Sequence, residues 1–437
     1  MKRRLLPILM TLVLVCALPI WAAFVTSGDV TNPLVCTAGA TSPPDTAATR
    51  LKSAISNGGD VRLTEDIEIR ETLLVTRDVT LDLNGHVLKM TGNSSVLRVK
   101  KDGPDPVTLT ITDSRPQNPH TEPYVGLPAG GVITGGEGTN VTGIYYVGGA
   151  VFLENDTTLK LEGGTITENS SSGGSVFISG EKAVFEMSGG TITGETVGVR
   201  NNVGTFTMTG GRITGCSDRG VYMFNGSMTM SGTAYIGGNP GAGEDIYVRE
   251  PVHKHTDLSV TGGTVEGNVR IEFGANLGMT QESLKPVANS VVKEGGVFEG
   301  HIQVRIDNTE GTSVDYNTVN FIDEVANTRT FQLIFAQGDK KARKPDDPDT
   351  VNGQAFMYWA AKGTSEAWNF DTEINEPITL YAVRTPASSG YYYYPTTDTK
   401  ADDAKGSPKT ADPGVALYAA LSLLSLTGLT CTGRKKF

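Results

Sequence analysis

Apolar and polar residues alternate in short, recurring runs through the middle of the chain. Phe185-Glu186-Met187, Phe206-Thr207-Met208, Met228-Thr229-Met230 and Leu258-Ser259-Val260 share one pattern. A period of two predicts strands whose apolar members face inward. Glycine pairs then open a second alternating run, as in Gly163-Gly164-Thr165-Ile166-Thr167, Gly189-Gly190-Thr191-Ile192-Thr193-Gly194 and Gly210-Gly211-Arg212-Ile213-Thr214-Gly215. Weaker copies begin at Gly130, Ser231, Gly262 and Gly295. The pairs suit sharp corners, where φ is positive or backbones pass closely. The copies at 189, 210 and 231 keep the best spacing and step by 21 residues. A fixed period of this size predicts stacked coils, each burying an apolar side against its neighbours. The expected architecture is therefore all-β, a parallel β-helix or solenoid over residues 45–325.

The first part of the chain fits the same coil with weaker repetition. Val61-Arg62-Leu63, Ile67-Glu68-Ile69, Leu73-Leu74-Val75, Val79-Thr80-Leu81-Asp82-Leu83 and Val87-Leu88-Lys89-Met90 read as strands, with a turn at Asn84-Gly85-His86. Ahead of them Asp45 is placed to cap a short helix through Ala54-Ile55 that ends at Asn57-Gly58-Gly59. Such a helix would cover the open apolar end of a solenoid. The stretch from Leu81-Asp82-Leu83-Asn84-Gly85-His86 through Gly190-Thr191-Ile192-Thr193-Gly194 resembles the pectate-lyase-like right-handed β-helix regions of bacterial surface proteins. The resemblance implies a right-handed coil. It implies no particular activity, because the same coil hosts lyases, hydrolases and passive adhesins.

From Thr330 the glycine pairs stop. Thr330-Phe331-Gln332-Leu333-Ile334-Phe335, Phe356-Met357-Tyr358-Trp359, Trp368-Asn369-Phe370-Asp371 and Ile378-Thr379-Leu380-Tyr381-Ala382-Val383 mark a small β-rich module over residues 328–384. Its spacing resembles the internalin-type B repeat (Listeria–Bacteroides repeat), with Tyr358 and Val383 where that family has Gly and Trp. The resemblance implies a spacing and presenting role. Residues 385–406 are polar and read as a linker crossing a cell wall. Tyr391 to Tyr394 read equally as part of that linker or as a last edge strand.

The two ends place the chain outside the cell. Met1-Lys2-Arg3-Arg4 precedes an apolar run over residues 5–23, the order of a secretory signal peptide, and residues 24–44 follow as a linker. Cleavage near Ile20-Trp21-Ala22 and near Val25-Thr26-Ser27 both stay open. At the other end an apolar span over residues 415–429, expected as an anchor helix, is followed by Arg434, Lys435 and Lys436. Basic residues after such a span stay on the cytoplasmic side. Ser407-Pro408-Lys409-Thr410-Ala411 lies just before it. Residues 407–437 thus resemble a sortase sorting signal, with Ser407 in place of the common Leu and Ala411 in place of Gly. The resemblance implies cleavage between Thr410 and Ala411 by a sortase. It further implies covalent attachment to peptidoglycan at the surface of a Gram-positive-type bacterium.

Composition adds exclusions. The 37 basic and 48 acidic residues leave a net charge of −11, which disfavours nucleic acid as a partner. Of four cysteines, Cys16 and Cys431 lie in the end segments, so Cys36 and Cys216 offer neither a disulfide framework nor metal-ligand spacing. No cofactor or metal is expected. His253-Lys254-His255 is half a metal site at most and reads as a solvated loop. Asp218-Arg219 and Glu244-Asp245 are the residues a lyase would use, although polar residues at corners are ordinarily solvated turns. Lys160, Glu186, Thr207, Thr229 and Ser259 align on one outward column without a catalytic cluster.

A second outward column has more character. Ile144-Tyr145-Tyr146, Val176-Phe177-Ile178, Val199-Arg200-Asn201, Val221-Tyr222-Met223 and Ile246-Tyr247-Val248 align as rows. Their outer members are mostly apolar and point inward, so Tyr145, Phe177, Arg200, Tyr222 and Tyr247 point outward. Arg200 supports this, because an inward arginine is costly. Rungs about 4.8 Å apart would space these rings to stack on successive sugars. Two readings follow. One is a wall-anchored adhesin binding a host or microbial glycan or surface protein. The other is a wall-attached polysaccharide lyase or glycosidase. The missing carboxylate cluster favours the first.

Overall fold

The computed structural model describes residues 46–140, 146–240, 244–250, 258–273, 296–306 and 313–387. The expected signal peptide, the expected 24–44 linker, His253 to His255, the expected sorting motif and anchor helix, and nearly all of the expected 385–406 linker lie outside them. Among the described residues no helix is long and apolar enough to cross a membrane.

The chain is a parallel β-solenoid with three faces. One coil runs Val184–Met187, Thr191–Thr193 and Val197–Asn201, and the next begins at Thr205–Met208. Corresponding strands of successive coils pair in parallel, forming sheets of eight (A), nine (B) and thirteen (C) strands among the described residues. The thirteen include the antiparallel strands at the C-terminal end. The register is the one the alternation predicts: Phe185 pairs with Phe206, Ile192 with Ile213 and Val199 with Val221. Ile133, Ile166, Ile192, Ile213 and Ile236 form an inward column, each fully or almost fully buried. Each contributes roughly 2 kcal/mol through burial. On sheet A the rings of Phe185 and Phe206 stack at 4.8 Å and 7°, one rung apart.

The glycine pairs do two jobs at the corner between sheets A and B. A Cβ on Gly189 would lie 2.2 Å from the Glu162 carbonyl oxygen of the previous coil, so only hydrogen fits there. Gly190 has φ +71°, which an L side chain rarely adopts. The next corner, toward sheet C, is built from buried amide and acid pairs. The Asn169 side chain donates to the Thr167 and Ile133 carbonyls and to Glu195, and its N–H also donates to Glu195. Asn239 repeats this with Asp245, at 2.7 Å. Burial pushes the Glu195 carboxyl up to about 7, against the lowering effect of the Asn169 bonds.

Both ends of the coil are covered. Helix α1 (Ala47–Asn57) buries Leu51 and Ile55 and touches the first strand of each sheet. Its N-cap is Thr46, one residue later than Asp45, because the Thr46 hydroxyl accepts from the Thr49 N–H. At the other end, strand Ser313–Asp323 turns antiparallel to Ile302–Ile306 and extends sheet C. It then pairs with Thr328–Phe335 on one side and Ile378–Arg384 on the other. Phe331, Leu333 and Phe335 pack on the solenoid core, so this hairpin closes the coil's second apolar end. Val319 and Phe321 of the same long strand belong to a separate small core with Trp359 and Leu380. The division expected at 325–328 falls inside the hairpin turn.

Candidate functional site: the outer column of sheet C

Strand alternation on sheet C sends every second side chain away from the core. The strand pairing sets these outward residues in one register: Leu74, Arg98, Phe152, Phe177, Arg200, Tyr222, Tyr247, Arg270, Gln303 and Asp315. Phe177, Arg200, Tyr222 and Tyr247 occupy neighbouring rungs, as the sequence alignment places them. Tyr145 lies outside the described residues. Its row is a correction: the strand beside Val176–Ile178 is Val151–Leu153, which puts Phe152 next to Phe177. Tyr146 instead forms a short antiparallel pair with Asn140, in an insertion that precedes this strand.

The column is held by side-on contacts between its own members. The Arg98 guanidinium sits 5.2 Å from the Phe152 ring centre. Arg200 lies 5.9 Å from the Phe177 ring and 4.8 Å from the Tyr222 ring. The rings of Tyr222 and Tyr247 are 5.2 Å apart. Arg219 comes from a neighbouring position to within 4.4 Å of the Tyr247 ring. Cation–π contacts of this kind stabilise by roughly 0.5 to 2 kcal/mol. Beyond Tyr247 the contacts turn polar. Arg270 Nε donates to Gln303 at 3.1 Å, and Gln303 donates to Asp315 at 2.7 Å.

This packing limits what the rings offer. Phe177 is 4% and Tyr247 8% exposed, so neither presents an open face. Val147, on the inserted hairpin, covers Phe152 and Phe177 as a small apolar cluster. Arg200 and Tyr222 stay partly exposed between the covered segments. A partner would therefore meet ring edges, a phenol and a guanidinium. The Tyr247 hydroxyl is pushed up to about 12, mainly by burial and then by Glu272, so it stays protonated and can donate a hydrogen bond.

The residues considered for lyase chemistry do converge, but mostly on each other. Asp218 pairs with Arg219 at 2.6 Å. Glu244, with its side chain 2% exposed, lies 3.8 Å from Arg219 and 2.6 Å from Arg270. Asp245 turns inward to the Asn239 corner and accepts the Gly267 N–H. The other outward column has the expected register, with Lys160 beside Glu186 and then Thr207, Thr229 and Ser259. Lys160 and Glu186 are 3.3 Å apart. Among the described residues no cluster of three or more His, Cys, Asp or Glu is placed to hold a metal ion.

The sequence left Leu74, Arg98, Phe152, Arg270, Gln303 and Asp315 out of the column. Arg98 and Phe152 were discoverable, since Leu97-Arg98-Val99 and Val151-Phe152-Leu153 carry the same apolar–outward–apolar signature. No protein-family model matches the chain, and neither curated proteins nor solved structures give a match.

Proposed function

We propose that this chain is a non-enzymatic surface protein. In this reading it is exported and joined to peptidoglycan by a sortase acting at Ser407-Pro408-Lys409-Thr410-Ala411. The outer face of sheet C then contacts a glycan or a surface protein of a host or another microbe. The coil is taken as right-handed, the hand that parallel crossover connections almost always adopt. The observation that carries the binding reading is the unbroken outward column, in which Arg200 and Tyr222 stay partly open between rigidly packed neighbours. Arg and Tyr in a fixed geometry are the side chains that dominate binding surfaces. Little ordering cost remains when the partner arrives.

The test is a glycan array together with a surface-protein pull-down, comparing the wild type with Arg200→Ala and Tyr222→Ala. Loss of binding in both variants supports the reading, and unchanged binding removes it. Wall attachment is tested by mass spectrometry of wall-released protein, which should end at Thr410.

A second reading rests on Glu244 between Arg219 and Arg270, beside Tyr222 and Tyr247. A polysaccharide lyase would use such a group to take a proton from a uronic acid. The burial of Glu244 and the raised Tyr247 hydroxyl favour binding over this chemistry. Release of ultraviolet-absorbing unsaturated products from uronic-acid polymers, lost in Glu244→Gln, would reverse that preference.

A further inference from the structure

The outward column of sheet C runs into a cavity of about 350 Å³ where the last parallel strands meet the closing hairpin. That volume lies at the small end of ligand sites. Arg270 and Gln303, the rungs after Tyr247, form one wall, and Asp315, Lys340 and Asn375 form others. Ala336 supplies an apolar spot on the wall.

The polar groups are arranged in advance. Gln303 is fixed between Arg270 and Asp315. Asp315 also accepts from Gln337 at 3.0 Å, and Lys340 donates to Asn375 at 2.9 Å. Charge is balanced within the site, since Arg270 and Lys340 face Glu244 and Asp315. Glu244 is buried behind this wall and paired with Arg270 at 2.6 Å.

We infer that this cavity holds one neutral sugar residue of a glycan. The inference rests on the binding reading above and names the place where that glycan is gripped. Planar amide, carboxylate and guanidinium groups suit pairs of adjacent hydroxyls. The Ala336 methyl suits the C–H face of a sugar ring. Balanced charge disfavours an acidic sugar, which would leave one cation overcommitted and Asp315 repelling it.

The experiment uses the full secreted chain on an array of neutral-ended and acid-ended glycans. Ala336→Trp fills the cavity and leaves its polar network in place. Asn375→Ala removes one contact more gently, in case the tryptophan disturbs folding. The wild type should retain neutral-ended glycans, and a free neutral hexose should compete. Both variants should weaken retention by about tenfold or more. Retention of the same neutral glycans by the wild type and both variants overturns the cavity while leaving the Arg200 and Tyr222 surface standing. Retention of acid-ended glycans alone overturns the neutral assignment. No glycan bound by the wild type overturns this inference, and a partner recovered only in the protein pull-down would then leave the wider binding reading intact.

Discussion

The Asp323 carboxylate and the Arg384 guanidinium form a buried pair, 2.5 Å apart at closest, with side chains 1% and 2% exposed. They sit at the ends of two strands and tie the closing hairpin to the last strand of sheet C. Arg384 also donates to the Gln354 carbonyl at 2.7 Å, and Asp323 accepts the Val325 and Ala326 N–H groups.

Removing one member of this pair should hurt more than removing both. Burial alone would raise the Asp323 carboxyl. The Arg384 bonds and charge, with the Ala326 and Val325 N–H groups, outweigh it and hold the group below the usual aspartate range. A lowered carboxyl stabilises the fold at neutral pH, and that contribution is lost as pH falls through its folded value. Arg384→Met should lower the urea midpoint at pH 7 and begin acid unfolding at a higher pH. Pairing it with Asp323→Asn should recover part of the loss, because no buried charge is then stranded. Fluorescence of Trp359 and Trp368, both in this part of the chain, reads the transition. Equal damage from single and double variants would refute the account.

Neighbouring residues on one sheet A strand should differ sharply. Phe206 is fully buried and stacks on Phe185, so Phe206→Ala should cost about 3–5 kcal/mol of stability. Thr207 points outward, and Thr207→Ala should stay within about 0.5 kcal/mol. Chemical denaturation of the two variants checks the register directly.

The corner glycines carry a separate expectation. Gly211 has φ +78°, and a Cβ there would lie 2.5 Å from the Gly189 carbonyl oxygen. Gly211→Ala should destabilise by roughly 1–3 kcal/mol. Gly353→Ala, with positive φ but open space around it, should cost less, because strain is then the whole penalty. Melting temperatures of the two variants would order the effects.

Glu195 should make the solenoid less stable as pH rises. Its carboxyl lies at about 7 in the folded chain, against an ordinary 4.5. Between these values the folded state binds more proton than the unfolded state, so stability falls with rising pH. The full change from this group is about 3 kcal/mol, since each pKa unit is worth about 1.4 kcal/mol. Asp245 is raised in the same direction by its burial and adds to the trend. Glu195→Gln should flatten the urea midpoint between pH 4.5 and 7. A wild-type slope that survives the substitution would assign the effect elsewhere.

Much of the coil is legible in the residues because a strand reports its faces locally. Each row from Val176 to Val248 shows which side chains face in, whatever it pairs with. Matching the apolar–outward–apolar rows then aligns Phe177, Arg200, Tyr222 and Tyr247 without any coordinates. The row at Tyr145 fails for a definite reason. Ile144-Tyr145-Tyr146 and Val151-Phe152-Leu153 both open with an apolar residue followed by an aromatic one. Only pairing with Val176–Ile178 selects the second.

By itself the sequence determined the strand rows, the glycine corners and the side of sheet C on which the aromatic and arginine column lies. These follow from the two-residue period of a strand and the steric needs of a corner, which act over a few residues. The tertiary structure alone decided that Val147 covers Phe177, that Arg219 reaches Glu244, and that the closing hairpin completes a cavity beside Arg270. Those relationships depend on which distant strands pair and where inserted loops fold back. Pairing and loop placement are settled by packing across the whole molecule, so no local pattern records them.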